Sequence, residues 1–221
     1  MKLPMLYMDE LRGFYKSKVM LFLWVGLPIL AILFHFVQAA STGQTISFTV
    51  ISALVVSSVA GTLSAVMLSV SIINEKNRHV YELFLIRPIK RWNIVLAKFL
   101  SVYTCVGVAS VLAILVGIAT DWLTTGAFAT TILNNTGQSQ AISFSMIAVA
   151  CSAGVLIGIA SPSVLLGAIL VIYGGNQLSV IPLIPTLLNI KDAVVFTIGL
   201  AGIVTVVLLV AAVVLFDRKQ F

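Results

Sequence analysis

The chain is 221 residues long, 60% hydrophobic and only 9% charged, with a formal net charge of +6. Soluble domains carry about 25% charged residues, so this composition excludes water as the main solvent of the folded chain. The positive side chains flank long apolar runs, which excludes a nucleic-acid surface and points to membrane topology instead. Several runs reach the ~20 residues that cross a ~30 Å hydrocarbon core as helix. The fold class expected is an all-α polytopic membrane protein: one transmembrane domain over residues 1–221, with six spans and membrane lipid as its solvent. The first run follows a mixed polar-apolar segment without a small-residue cleavage site, so no removed signal peptide is expected.

That opening segment, MKLPMLYMDELRGFYKSK, places Leu3, Tyr7, Leu11 and Phe14 at helical spacing, with Asp9, Arg12 and Lys16 elsewhere. It predicts an amphipathic helix over residues 1–17 resting in the membrane interface, with a plain charged tail as the alternative. The first span is expected from Lys18 to Gln38 and the second from Ile46 to Ile73. On the second, Ala53, Ser57, Gly61, Ala65 and Ser69 recur every four residues and stack into one stripe of small side chains. Such stripes let helix backbones approach closely. Ser57, Gly61, Ala65 and Ser69 therefore pack within one subunit or across a dimer, or the hydroxyls of Ser57 and Ser69 line a substrate path.

The loop NEKNRHVYELFLIRPIKRW (Asn74 to Trp92) carries the densest charge of the chain. Asn74 to Ile86 contains neither Pro nor Gly, and Pro88 ends the helical stretch by disfavouring helix at the residue before it. Arg78 is placed to pair with Glu82 at i, i+4. Val80, Leu83, Phe84 and Arg87 make a second face, apolar apart from the arginine. A basic turn that merely fixes topology explains the lysines and arginines, but not Glu75, Glu82 or the apolar face.

The third span is expected from Ile94 to Ala119, the fourth from Ala141 to Ala160, the fifth from Pro162 to Leu178 and the sixth from Ala193 to Phe216. Trp92 and Trp122 bracket the third at the headgroup level, and Trp24 fits either an interface or the core. Polar Thr120 to Gln140 reads as a solvated loop containing the glycosylation-like tripeptide Asn134–Asn135–Thr136. Ala150, Gly154 and Gly158 form a small-residue stripe on the fourth span. In the fifth, the apolar stretch stops at Gly174–Gly175, and Ser163 to Tyr173 would cover only ~16 Å. Either that helix starts earlier or the chain bends back within the membrane over residues 174–192. Twelve of the thirteen basic residues fall on one side of a six-span topology, Lys191 alone on the other. The positive-inside rule then expects both termini in the cytoplasm and a multi-pass protein of the cell membrane.

Catalytic chemistry is hard to place. His35 and His79 stand apart, Asp121 and Asp192 sit at helix ends, and no metal-ligand spacing occurs. His35 is read either as a simply solvated side chain or as a ligand or proton site. Cys105 and Cys151 fall inside apolar runs, where cysteine packs as a small hydrophobe. Deep ionisable residues, usual in ion-coupled carriers, are nearly absent; Lys98 is expected to snorkel to the edge. No phosphate-binding GxxxxGK[ST] loop occurs. Any ATP chemistry must come from another chain, and an ATPase-independent secondary carrier or membrane scaffold is the alternative.

At the charged loop the chain resembles the permease subunits of type-two ATP-binding-cassette (ABC) exporters. Those carry a Glu, typically a Gly-Thr, a Leu-Glu-Leu-Leu-like helix, a Pro-Val-x-Arg turn and a Gly-Lys. Glu75, Glu82, Leu83, Leu85, Pro88, Arg91 and Lys98 match that pattern, with Ile89 for the Val, while His79–Val80 and Ala97 depart from it. The resemblance implies an N-terminal interfacial helix, six spans and re-entrant helices between the last two. Gly174 to Ile190, broken by Gly and Pro, would supply the re-entrant segment. It implies that residues 74–93 form a coupling helix docked in a partner ATPase, with Val80 and Phe84 as apolar anchors and Leu83 and Pro88 in the same interface. Glu75, Arg78, Glu82, Arg87 and Arg91 would surround them. It further implies a homodimer or a pair of paralogous permeases. The chain itself would bind no cofactor; ATP and Mg would sit on the ATPase.

Overall fold

Backbone groups in hydrocarbon have no water to bond, so a spanning segment must satisfy them internally, and a helix does so residue by residue. A computed structural model, which describes residues 3–39, 48–78, 91–125, 130–187 and 193–218, is helical throughout its elements. The helices are α1 (Leu3–Tyr15), α2 (Lys18–Ala39), α3 (Phe48–Asn77), α4 (Arg91–Thr125), α5 (Thr130–Ala160), α6 (residues 164–187) and α7 (Ala193–Arg218). Five stretches are long and apolar enough to cross a membrane, and six if the bent α1–α2 pair counts as one. The chain is an all-α polytopic membrane protein.

Local chemistry sets the breaks. At Ser17 the axis turns by 68° between α1 and α2, and the Ser17 carbonyl accepts the N–H groups of Met20 and Leu21 at 3.1 Å each. Pro162 follows the end of α5, and the Ser163 hydroxyl caps α6 by accepting the Leu166 N–H at 3.4 Å. Gly174–Gly175 does not break α6. The helix passes through it in a π-helical turn (Val171–Gly175) and continues to Leu187 as short α and 3-10 segments. Val164–Leu183 is thus 20 residues of continuous helix, about 30 Å at 1.5 Å per residue, so the fifth span, expected from Pro162 to Leu178, runs through the glycine pair and five residues past Leu178. Residues 188–192 lie outside the described residues.

Two further expectations change. Thr120 to Gln140 is not one loop: α4 runs on to Thr125 and α5 begins at Thr130. Within this stretch Ser139 is buried, and Gln140 Nε2 donates to Ser110 Oγ at 3.3 Å. The N-terminal helix does more than rest at an interface. Leu6 and Phe14 are buried in the main core, and the Tyr7 hydroxyl lies 3.1 Å from Thr104 Oγ1 on α4.

The small-residue stripes explain the centre. A Cβ at Gly154 would stand 2.6 Å from the Ala65 carbonyl oxygen, and one at Gly158 would stand 3.0 Å from Ser69 Cα. The α3 and α5 backbones therefore approach more closely than any side chain would allow, as small-residue packing predicts. Ser57, Gly61, Ala65 and Ser69 are all buried in this seam or beside it. Of the three readings of the stripe, packing within one subunit is where the structure places it. α4 lies against α3 and α5, α1 and α2 cover α4, and α6 and α7 cover α3 and α5.

Candidate functional site

α3 ends two residues past Glu75, and the loop carrying Val80, Glu82, Leu83, Phe84, Arg87 and Pro88 lies outside the described residues. Its two supports are described: Arg78 sits in an exposed turn, its N–H bonded to the Asn74 carbonyl at 3.0 Å, and Arg91 opens α4. Glu75 was expected on the rim of a docking surface. Instead it turns inward, and its Oε1 accepts a hydrogen bond from Lys98 Nζ at 2.5 Å and from Ser71 Oγ at 3.2 Å. Lys98 also donates to Glu10 Oε1 of α1 at 2.8 Å.

Lys98 does not snorkel. It is 2% exposed, the only buried side chain of the charged types (Asp, Glu, Lys, Arg) among the described residues. Removing an ammonium from water costs several kcal/mol unless opposite charges and hydrogen bonds replace the lost solvation. Two carboxylates do so here, with side chains 20% and 25% exposed. One lysine on α4 thereby fastens α1 to the end of α3, where the charged loop begins. A lysine about two turns inside a hydrophobic helix is itself a sign that a partner is needed. Its sequence did not say which partner, because Glu10 is 88 positions away.

The other hydroxyls mostly serve their own helices. Ser64, Ser101, Ser110 and Ser152 each donate to a carbonyl three residues back at 2.8–2.9 Å. Ser57 Oγ donates to Met146 Sδ at 3.6 Å, and Cys151 Sγ donates to Ser64 Oγ at 3.4 Å. Ser69 Oγ is buried without a partner among the described residues. Both cysteines are buried and free. Trp92 and Trp122 are exposed towards opposite ends of α4, while Trp24 is half-buried, edge-on to Tyr15 with centroids 5.6 Å apart.

A cleft of about 500 Å³ adjoins the charged cluster between α1 and α3. The arrangement combines a charge clasp, an amphipathic cleft beside it and a loop leaving from its edge. It offers binding and mechanical linkage; among its described groups no nucleophile is paired with a base. Compared with family models and with curated proteins, the chain matches none.

Proposed function

We propose that this chain is the transmembrane permease subunit of an ATP-driven ABC exporter, working as a dimer with a separate ATPase that docks on residues 74–93. The observation that carries this reading is the clasp of Glu75, Lys98 and Glu10. It makes the base of the charged loop rigidly continuous with α1, α3 and α4, as a device for transmitting force from a docked partner requires. The charged, apolar-faced loop supplies the docking chemistry, with apolar anchors inside a polar surround. The loop and both termini then face the cytoplasm. ATP and Mg bind the partner, and no nucleic acid is involved.

The test is co-expression with an ATPase encoded beside this chain. The pair is expected to co-purify and hydrolyse ATP, whereas this chain alone does not. Glu82→Lys with Arg87→Glu should release the ATPase from an otherwise folded permease. Full assembly and full activity in that variant would place the docking site elsewhere.

One observation favours a second reading, an ATPase-independent secondary carrier. The Lys98 cluster is a buried titratable group of the kind ion-coupled carriers use, and the absence of such groups had spoken against them. Proteoliposomes of this chain alone, moving a solute down an imposed ion gradient without ATP, would decide for the carrier.

A further inference from the structure

The cleft between α1 and α3 has an unbalanced charge at one end and hydrocarbon along its length. On its α3 wall Leu63, Val66, Met67 and Val70 follow one another at helical spacing, and the same face ends in Ser71 and Glu75. Glu10 completes the polar end from α1. Exposed Val19 also lines it, so the cleft reaches the outer, lipid-facing surface.

The polar end holds two carboxylates around one ammonium. The formal charges of these three groups sum to one net negative charge. Neither carboxylate makes a further ion pair among the described residues; Lys76 Nζ reaches the Ser161 carbonyl at 3.5 Å, and Arg78 lies in the exposed turn beyond α3. Each Oε1 is engaged by Lys98, while the partial exposure of both glutamates leaves carboxylate surface towards the cleft. An uncompensated charge beside apolar walls is costly, and a counter-cation at that spot relieves the cost. The volume is within the ~300–1,000 Å³ of small-molecule sites.

We infer that this cleft binds a monocationic amphipath, its ammonium head between Glu10 and Glu75 and its hydrocarbon body along Leu63, Val66, Met67 and Val70. A neutral amphipath of equal length gains the walls but not the carboxylates, and an anionic one is repelled by them. Binding needs neither ATP nor a partner chain, so the inference stands apart from the exporter reading.

The test uses the purified full chain in phosphatidylcholine nanodiscs, titrated with dodecylammonium, dodecanol and dodecanoate. Dodecylammonium is expected to bind saturably and at least about tenfold more tightly than dodecanol, with dodecanoate weakest. Glu10→Gln and Glu75→Gln each leave Lys98 one carboxylate and a neutral pair, so each should reduce that preference to less than about twofold. Met67→Trp, which fills the cleft without touching the charges, should abolish saturable binding of amine and alcohol alike while the protein remains monodisperse. Equal affinity of the wild-type chain for amine and alcohol would overturn the inference. So would unchanged amine binding in a monodisperse Met67→Trp protein.

Discussion

Helices α5 and α7 show how differently two apolar helices of one bundle are used. The α7 span is the more hydrophobic, with mean hydropathy 3.0 against 2.2, yet only 11% of it is buried against the chain compared with 72% of the α5 span. In water that order would be reversed. In lipid the solvent is as apolar as the side chains, so hydrophobicity does not draw helices together and close packing does. α5 supplies Ala150, Gly154 and Gly158 and is gripped by α3; α7 turns Val195, Phe196, Ile203 and Val206 outward. Lys98 on α4 marks the third case, where charge rather than shape fixes the interior.

This contrast can be broken or sharpened by substitution, and the largest effect belongs to the charge. Lys98→Met leaves two carboxylates facing each other without their cation, and a loss of about 3–5 kcal/mol is expected, read as a lowered melting temperature in detergent. Adding Glu10→Gln and Glu75→Gln should recover most of it. A Lys98→Met protein as stable as wild type would show that the clasp holds nothing. Next comes shape. Gly154→Val drives a side chain into the Ala65 backbone and should cost about 1–3 kcal/mol, whereas Gly199→Val and Gly202→Val on α7 meet open space and should stay within about 0.5 kcal/mol. Equal effects on the two helices would erase the distinction. No loss at all is expected where α7 does touch the bundle. Thr197 and Thr205 bury hydroxyls without partners among the described residues, so replacing both with the isosteric Val should leave stability unchanged or raise it by about 1 kcal/mol.

Hydropathy made the spans legible because bilayer thickness sets their length. The sixth span, expected from Ala193 to Phe216, is the helix Ala193–Arg218, and the second, expected from Ile46 to Ile73, is Phe48–Asn77. The four-residue period identified the face of Gly61, Ala65 and Ser69, but a period names a face and not its neighbour, so the seam with α5 needed the fold. The glycine pair Gly174–Gly175 made the fifth span look short, but a π turn keeps the helix going past it. Polar composition misled at Thr130 to Gln140, which is helix with Ser139 buried and Gln140 bonded to Ser110 of α4. Lys98 was misread most. A lysine near a helix end ordinarily reaches for water, and only the placement of α1 brings Glu10 within 2.8 Å. Glu75 entered the site through its place in the loop pattern; its inward direction was not legible, because charge alone does not tell a docking surface from a clasp.

The clasp and the loop meet in the proposed function: force from a docked ATPase would enter through the loop 74–93 and pass through Glu75 and Lys98 to α1 and α4. The most direct test is ATP hydrolysis by the purified permease–ATPase complex carrying Lys98→Met, Glu10→Gln and Glu75→Gln together. This variant removes the charges but keeps the buried cluster neutral. The account predicts that the ATPase still binds while permease-stimulated hydrolysis falls at least about tenfold. Undiminished stimulation in the assembled triple variant would contradict it.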